Sequence, residues 1–442
     1  MAHKDTWTRS ATGASPKSLE LYEIAVHELL LYRNDPLATL DQALADSPSF
    51  VMGHAMKAWL HLLGTEPDGL EVARGSLEAA AELPANMREK AHLKAAGLLA
   101  DGKWHAAGRV LEDIVHDYPH DLLALQSGHL VDFYTGNSRM LRDRIARVMP
   151  FWDAQRPGYH AVLSMQAFGL EETADYGRAE AYGRRAIELE RRDGWAQHAV
   201  AHVMEMQNRY EDGISWMTRD SDAWSQDNFF AVHNWWHLAL FYLEQGDIDA
   251  VLALYDGPIA GNGSQVVLDL VDASALLWRL HLRGVKLGER WTALARLWQP
   301  LVTAPNYAFN DAHAAMAFVG AGRSDLMDSL LDTQIEAMES DADNALFTRA
   351  VGRPLCLALK AFGEGDYTSV LRLLRPVRNQ AARFGGSHAQ RDIIDLTLIE
   401  AALRGGEEPL AHALVNERTF LKPDSPLTAL FRQRSVDPRQ AA

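Results

Sequence analysis

Apolar residues recur at helical spacing through segment after segment of the chain, and short Gly, Asp or Pro breaks separate each segment from the next. Runs with the strict alternation of half-buried strands are scarce, so the pattern predicts an all-α protein. One phrase recurs at the breaks: a small residue, a polar one, an aromatic or apolar one, two more positions, then a small or aliphatic one. It reads GKWHAA at Gly102–Ala107, ADYGRA at Ala174–Ala179, NRYEDG at Asn208–Gly213, GDIDAV at Gly246–Val251 and GDYTSV at Gly365–Val370. Fainter copies stand at Gly136–Leu141 and Gly322–Met327. Each copy predicts a tight turn between two helices.

Successive turns at 102, 136, 174, 208 and 246 are 34 or 38 residues apart, which brackets the tetratricopeptide period of about 34. Isolated helices of about 12–15 residues are marginal in water, so each pair must bury its apolar face against the next. The expected fold is therefore a right-handed α-α superhelix, a tetratricopeptide-like solenoid with a concave and a convex face. Trp104, Tyr176, Tyr210 and Tyr367 fill the aromatic slot of the turn as packing wedges between paired helices. GPIAGNGSQ between Asp256 and Gln265, and the two prolines within Gln299–Asn306, break the rhythm as irregular loops. Neither has the length or composition of a linker, so we expect a flexible N-terminal tail over residues 1–17 and a single superhelical domain over 18–442.

Charge and composition narrow the function classes. Fifty-nine carboxylates against 43 Lys and Arg give a net charge of −16, a field that repels phosphate backbones and anionic lipid and argues against nucleic-acid and membrane partners. Cys356 is the single cysteine, which excludes an internal disulfide, a multi-thiolate zinc site and an iron–sulfur cluster and fits a reducing compartment. The first residues lack the apolar stretch of a secretory signal, and no segment reaches the ~20 apolar residues that span a bilayer. The expectation is a soluble cytoplasmic protein.

Counting the turn glycine as slot 15 of each repeat puts slots 2, 5, 9 and 12 on one stripe of the first helix, the stripe that faces the concave side in such solenoids. Slot 5 reads His54, His92, Gln126, Ser164, His198, Trp236 and Ser274 through seven repeats. Such polar and aromatic residues suggest an aqueous binding wall, set against the plainer reading of a merely solvated face.

The densest chemistry lies in two neighbouring first helices. WAQHAVAHVMEM, Trp195–Met206, sets Trp195, His198, His202 and Glu205 on one face; AVHNWWHLALFYLE, Ala231–Glu244, carries His233 and His237 four apart with Asn234 and Trp236 between them. FNDAH adds Asn310, Asp311 and His313. Histidines at i and i+4 chelate a divalent metal, and a third ligand from Glu205, an adjacent-helix histidine or an aspartate completes a site with an open position. The glutamate of an HExxH motif is missing, since Ala199 follows His198. Three readings stay open: a metal site, a metal-free acid–base pocket, and histidines satisfied within the structure. No phosphate loop, dinucleotide fingerprint, nucleophile elbow or haem motif is present in the sequence.

SFVMGHAM at Ser49–Met56, HAVAHVMEM at His198–Met206, HNWWH at His233–His237, FNDAH at Phe309–His313, VGRPLC at Val351–Cys356, GGSHAQRD at Gly385–Asp392 and KPDSPLT at Lys422–Thr428 together resemble the tetratricopeptide repeat protein 38 family. The resemblance runs from near the first helix almost to the C-terminus. It implies a cytosolic helical-repeat protein without an assigned biochemical role, whose recurrent polar positions fall here on His54, His198, His202, Glu205, His233, Asn234, His237, Asn310, Asp311, His313, Arg349, Gln390, Arg391 and Asp392. Met204, Ala350 and His388 depart from the family pattern.

The leading expectation is a small molecule held in the concave groove. There His198, His202, His233, His237 and His313 would hold zinc, iron or manganese for hydrolysis or hydration, and Glu205, His202, His237 and Asp311 would carry the acid–base chemistry. Asn234 and Asn310 would orient the substrate, Trp195 and Trp236 would exclude water, and Arg349, Gln390 and Arg391 would anchor an anionic group. The alternative is an adaptor that binds a peptide or protein partner in the groove, although the His, Trp, Gln and Ser stripe lacks the Lys and Arg lining that clamps acidic tails.

Overall fold

The computed structural model describes residues 3–7, 9–301 and 306–436. The chain is all-α and tetratricopeptide-like, a run of antiparallel helix pairs, with one two-stranded ladder, His3–Lys4 against Ser10–Ala11, among the described residues. All seven expected turns fall between paired helices. The first residue of each is left-handed, with φ of 73° at Gly102, 65° at Gly136, 63° at Ala174, 58° at Asn208, 80° at Gly246, 67° at Gly322 and 76° at Gly365. The amide that follows turns back to the carbonyl five residues earlier, Lys103 to Leu98 at 2.8 Å, Asp175 to Leu170 at 2.9 Å and Arg209 to Met204 at 2.8 Å. This bond closes the preceding helix and aims the chain into the next. Gly284 and Gly406 make the same turn, at φ 75° and 70°. Their phrases lack the aromatic slot, and Val285–Glu289 lengthens the first connection, so they do not show in the pattern.

The chain packs as two compact units, where we expected one domain from residue 18 onward: Met1–Val200 with Asp220–Ala231, and Ala201–Arg219 with Val232–Ala442. In the first unit, Pro16–Leu31/Pro36–Asp46, Val51–Leu63/Pro67–Ala81, Met87–Ala100/Trp104–Asp117, Leu122–Tyr134/Ser138–Val148 and Tyr159–Glu171/Tyr176–Leu189 follow one another as pairs. Its N-terminal segment, where we expected a flexible tail, makes several contacts. Thr6 donates to Glu23, Arg9 pairs with Asp5 at 2.7 Å and donates to the His120 carbonyl at 3.0 Å, and the Thr12 amide donates to Glu89 at 2.7 Å. Asp121 is a buried hub: it caps Leu122–Tyr134 through the Ala124 amide, pairs with Arg88 at 2.8 Å and meets His92 at 3.1 Å. Burial pushes its carboxyl up, but the His92, Arg88 and Arg9 charges hold it well below the usual range.

In the second unit the pairs are Val267–Leu282/Arg290–Trp298, Ala308–Gly320/Ser324–Glu339, Arg353–Gly363/Tyr367–Arg378 and His388–Arg404/Glu408–Leu421, with Pro426–Val436 last. They follow Tyr210–Thr218 and Ala231–Gln245/Ile248–Leu254, of which Ala231 itself falls in the first unit. The first expected break forms a π-turn over Tyr255–Ile259 in which Gly257 leaves helical geometry. Of the second, Gln299–Leu301 is a short 3-10 turn and residues 302–305 lie outside the described residues. No helix among the described residues is long and apolar enough to cross a membrane.

Candidate metal centre

The slot-5 stripe is packed rather than wetted. His92, Gln126, Ser164, His198, Trp236 and Ser274 are all buried, and only His54 is half-exposed. Several are satisfied inside their own unit: Gln126 donates to the Tyr32 hydroxyl, Ser164 to the Ala161 carbonyl, and Ser274 takes the Trp298 indole N–H at 2.9 Å. The aqueous wall expected from sequence is therefore replaced by internal hydrogen bonds. Trp195 and His198 belong to the first unit, where Trp195 stacks on Tyr32 at 5.6 Å and meets Phe168 and His198 at 5.0 and 4.8 Å. Trp195 acts there as core.

The second unit gathers the chemistry. His202 and Glu205 come from the last turns of Gly194–Met206, where spacing of three keeps them on one face. His233 and His237 come from Ala231–Gln245, one turn apart. Each of the three histidines offers a ring nitrogen, and these nitrogens lie within 4.8 Å of one another. The ring centres of His202 and His237 are 4.4 Å apart and those of His233 and His237 4.9 Å. Two imidazoles on one tetrahedral zinc have ring centres about 5 Å apart and ligating nitrogens about 3.3 Å apart, given Zn–N bonds of about 2.0–2.1 Å. The rings are thus nearly spaced for one ion.

One imidazole is hydrogen-bonded to a carboxylate and a second has one nearby. Asp272, 2% exposed on Val267–Leu282, places both oxygens 2.8–2.9 Å from His233 Nδ1. Glu205 Oε2 stands 3.3 Å from His237 Nδ1, with Lys422 Nζ 3.8 Å from its other oxygen. The Asp272 carboxylate on His233 Nδ1 fixes the tautomer that leaves Nε2 to a metal and raises its basicity. Burial, and after it the His237 charge, holds the His202 imidazole well below its ordinary value against the pull of Glu205; burial, then His233 and Arg279, does the same to His237. At neutral pH both are uncharged, which is the ligating form. The donor set therefore fits a divalent transition metal.

No family model matches this chain. Among solved structures it is similar to a monomeric mutant of IFIT1 with Gppp-AAAA, at 13% identity and a TM-score of 0.40 over 96% of this chain and 95% of that one. It is also similar to Naa15/Naa10 bound to HypK-THB, at 12% identity and a TM-score of 0.26 over 96% of this chain and 67% of that one. Neither likeness is close enough to inform the function.

The remaining expected site residues are spread through the second unit. Asn234 and Trp236 are wholly buried, and Trp236 stacks on His233 with the Arg279 guanidinium over its ring at 5.3 Å. His313 turns Nδ1 to the Phe309 carbonyl at 2.7 Å and is not in the triad; burial pushes it down to about 4. Asp311 takes a hydrogen bond from Gln334 Nε2, which also reaches the Cys356 sulfur. Burial pushes Asp311 up to about 7. Asn310 is buried at the start of the same helix. Gln390 is occupied in a capping box with Ser387, Arg391 donates to the Gly386 carbonyl, and the exposed Arg349 donates to the Met338 carbonyl at 2.5 Å. Each of the three thus makes a local bond to the backbone.

Glu205 also differs from expectation. It stands near His237 and lines a cavity of about 30 Å³ with Glu244, Arg279, Asp392 and Lys422, room for one or two waters and not for a substrate. Asp272, Arg279 and Lys422 were missed in the sequence. Asp272 had a signal, since it follows His233 by 39 residues, about one repeat.

Proposed function

We propose that this is a metal-binding helical-repeat protein whose second unit holds one divalent ion, zinc by preference, on His202, His233 and His237. The observation that carries the reading is the convergence of three imidazole nitrogens, one ring oriented by the buried Asp272 carboxylate on its Nδ1. An ion held by imidazoles with a coordination position left to water lowers the pKa of that water toward about 7, the chemistry of hydrolysis and hydration. Asp272 orients His233, Trp236 and Asn234 wall off the buried side, and Lys422 with Glu205 keeps a polar, water-sized space. The reading retains membership of the tetratricopeptide repeat protein 38 family, on the sequence resemblance, and a reducing, cytoplasmic setting, on the lone buried Cys356.

The adaptor reading has one observation in its favour: the space beside Glu205 is too small for a substrate. In that reading the ion is structural and a protein partner binds the helix-pair surface. Elemental analysis of the purified chain tests the metal. About one zinc, iron or manganese per chain should copurify, and the His202→Ala, His237→Ala double variant should lose it while His92→Ala keeps it. Parent protein that neither carries metal nor takes up added zinc by calorimetry removes the centre. A partner whose binding survives loss of the triad installs the adaptor in its place.

A further inference from the structure

A second cavity in the same unit, of about 820 Å³, is walled by the ends of Val267–Leu282 and His388–Arg404 and by Pro426–Val436. That is the volume of a pocket for a small organic molecule. Its wall is amphipathic. Leu282, Leu427, Leu430 and Phe431 supply the apolar side, and Arg283, Arg404 and Arg434 the polar one.

The guanidinium groups outnumber their partners. Glu400, 1% exposed, is shared by Arg404, at 3.0 Å to Oε2, and by Arg434, which reaches both oxygens. Arg283 donates Nη1 to the Leu243 carbonyl and feels the charges of Glu244 and Glu400; Glu408 is exposed to solvent. Three buried or half-buried cations thus face two such carboxylates. Arg283 Nη2 and Arg434 Nε have no hydrogen-bond partner among the described residues and are closed off from solvent, so a ligand reaches them only as these two side chains turn toward the cavity. A buried guanidinium N–H without an acceptor is costly, and a carboxylate accepts from two guanidinium N–H groups at once.

We propose that this cavity binds a small amphipathic organic acid, with its carboxylate on Arg283 and Arg434 and its apolar body against Leu427, Leu430 and Phe431. The site stands on its own residues and does not depend on the metal centre.

Calorimetric titration of the full chain with decanoate, and with 1-decanol as the uncharged match, tests it. Decanoate should bind saturably and raise the melting temperature, and decanol should bind roughly ten-fold more weakly or worse, since it forgoes the charge-assisted bonds. Arg283→Met should weaken decanoate by roughly ten-fold and leave decanol unchanged. Leu430→Trp, at a position 42% exposed and so tolerant of bulk, should block both ligands. Parent protein that ignores decanoate overturns the proposal, and so does equal binding of acid and alcohol. Decanoate binding that survives Leu430→Trp places it elsewhere and overturns it too. If Arg283→Met does not fold, the acid–alcohol comparison and Leu430→Trp decide alone.

Discussion

His129 gives the sharpest test of the packing in the first unit. It is wholly buried, edge-on to Phe168 at 5.8 Å and to Trp195 at 5.6 Å, and neither ring nitrogen has a hydrogen-bond partner among the described residues. Burial, and after it the Arg144 charge, pushes the imidazole down to about 3. The unfolded chain, with an ordinary value of about 6.5, therefore takes up a proton that the folded one refuses, so stability falls as pH drops from about 6.5 toward 3. Between pH 7.5 and 5 the loss from this residue is on the order of 2 kcal/mol. His129→Phe fills the same space, keeps the aromatic neighbours and removes the proton linkage. Melting temperatures of parent and variant at pH 7.5 and 5 read the difference: the variant should lose less on acidification, by about 4–8 °C at about 2–4 °C per kcal/mol for a unit of this size. At pH 7.5 it should be at least as stable, because two idle polar atoms leave the core. Parallel acid sensitivity in the two proteins would refute this account of the His129 environment.

Two further substitutions probe other regions of the molecule. Ala174→Gly relieves a β-carbon held at φ 63° and should stabilise by about 1 kcal/mol in a denaturant titration; a loss of stability would show that the turn wants its alanine. Asp311→Asn tests the carboxyl that burial lifts to about 7. Because the folded form holds its proton more tightly than the unfolded one, the parent loses stability as pH rises from about 4 to 7, by on the order of 4 kcal/mol. The variant should match the parent near pH 4 and exceed it at pH 8, and thermal melts at the two pH values that show no widening gap would count against it.

The helix pairs were legible because their turns repeat a local rule. A left-handed first residue and an aromatic wedge recur whether the residue is Gly102, Ala174 or Asn208, and a rule confined to six residues survives in sequence. The site was only partly legible, since i and i+4 spacing put His233 and His237 on one helix and the neighbouring first helix supplied His202. What the pattern hid was burial. Slot 5 reads as a polar stripe, but polarity alone does not tell a wetted side chain from one that hydrogen-bonds inside, as Ser274 does with Trp298. Gln390 and Arg391 showed the same ambiguity, for their partners Ser387 and Gly386 lie in the adjacent loop. Partners one repeat away, such as Asp272 for His233, follow from register, whereas Lys422 reaches Glu205 across more than two hundred residues, and no local spacing announces it.

The N-terminal segment bears on how the protein is made. Thr6 holds Glu23, but Arg9 donates to the His120 carbonyl and Thr12 to Glu89, so these two longer-range bonds wait until their acceptors have been synthesised. At about 5–20 residues per second the wait between Arg9 and His120 is roughly 6–22 s, long enough for a helix pair to close many times over. The early pairs can therefore close before these two bonds form, and the bonds then fasten pairs that are already in place.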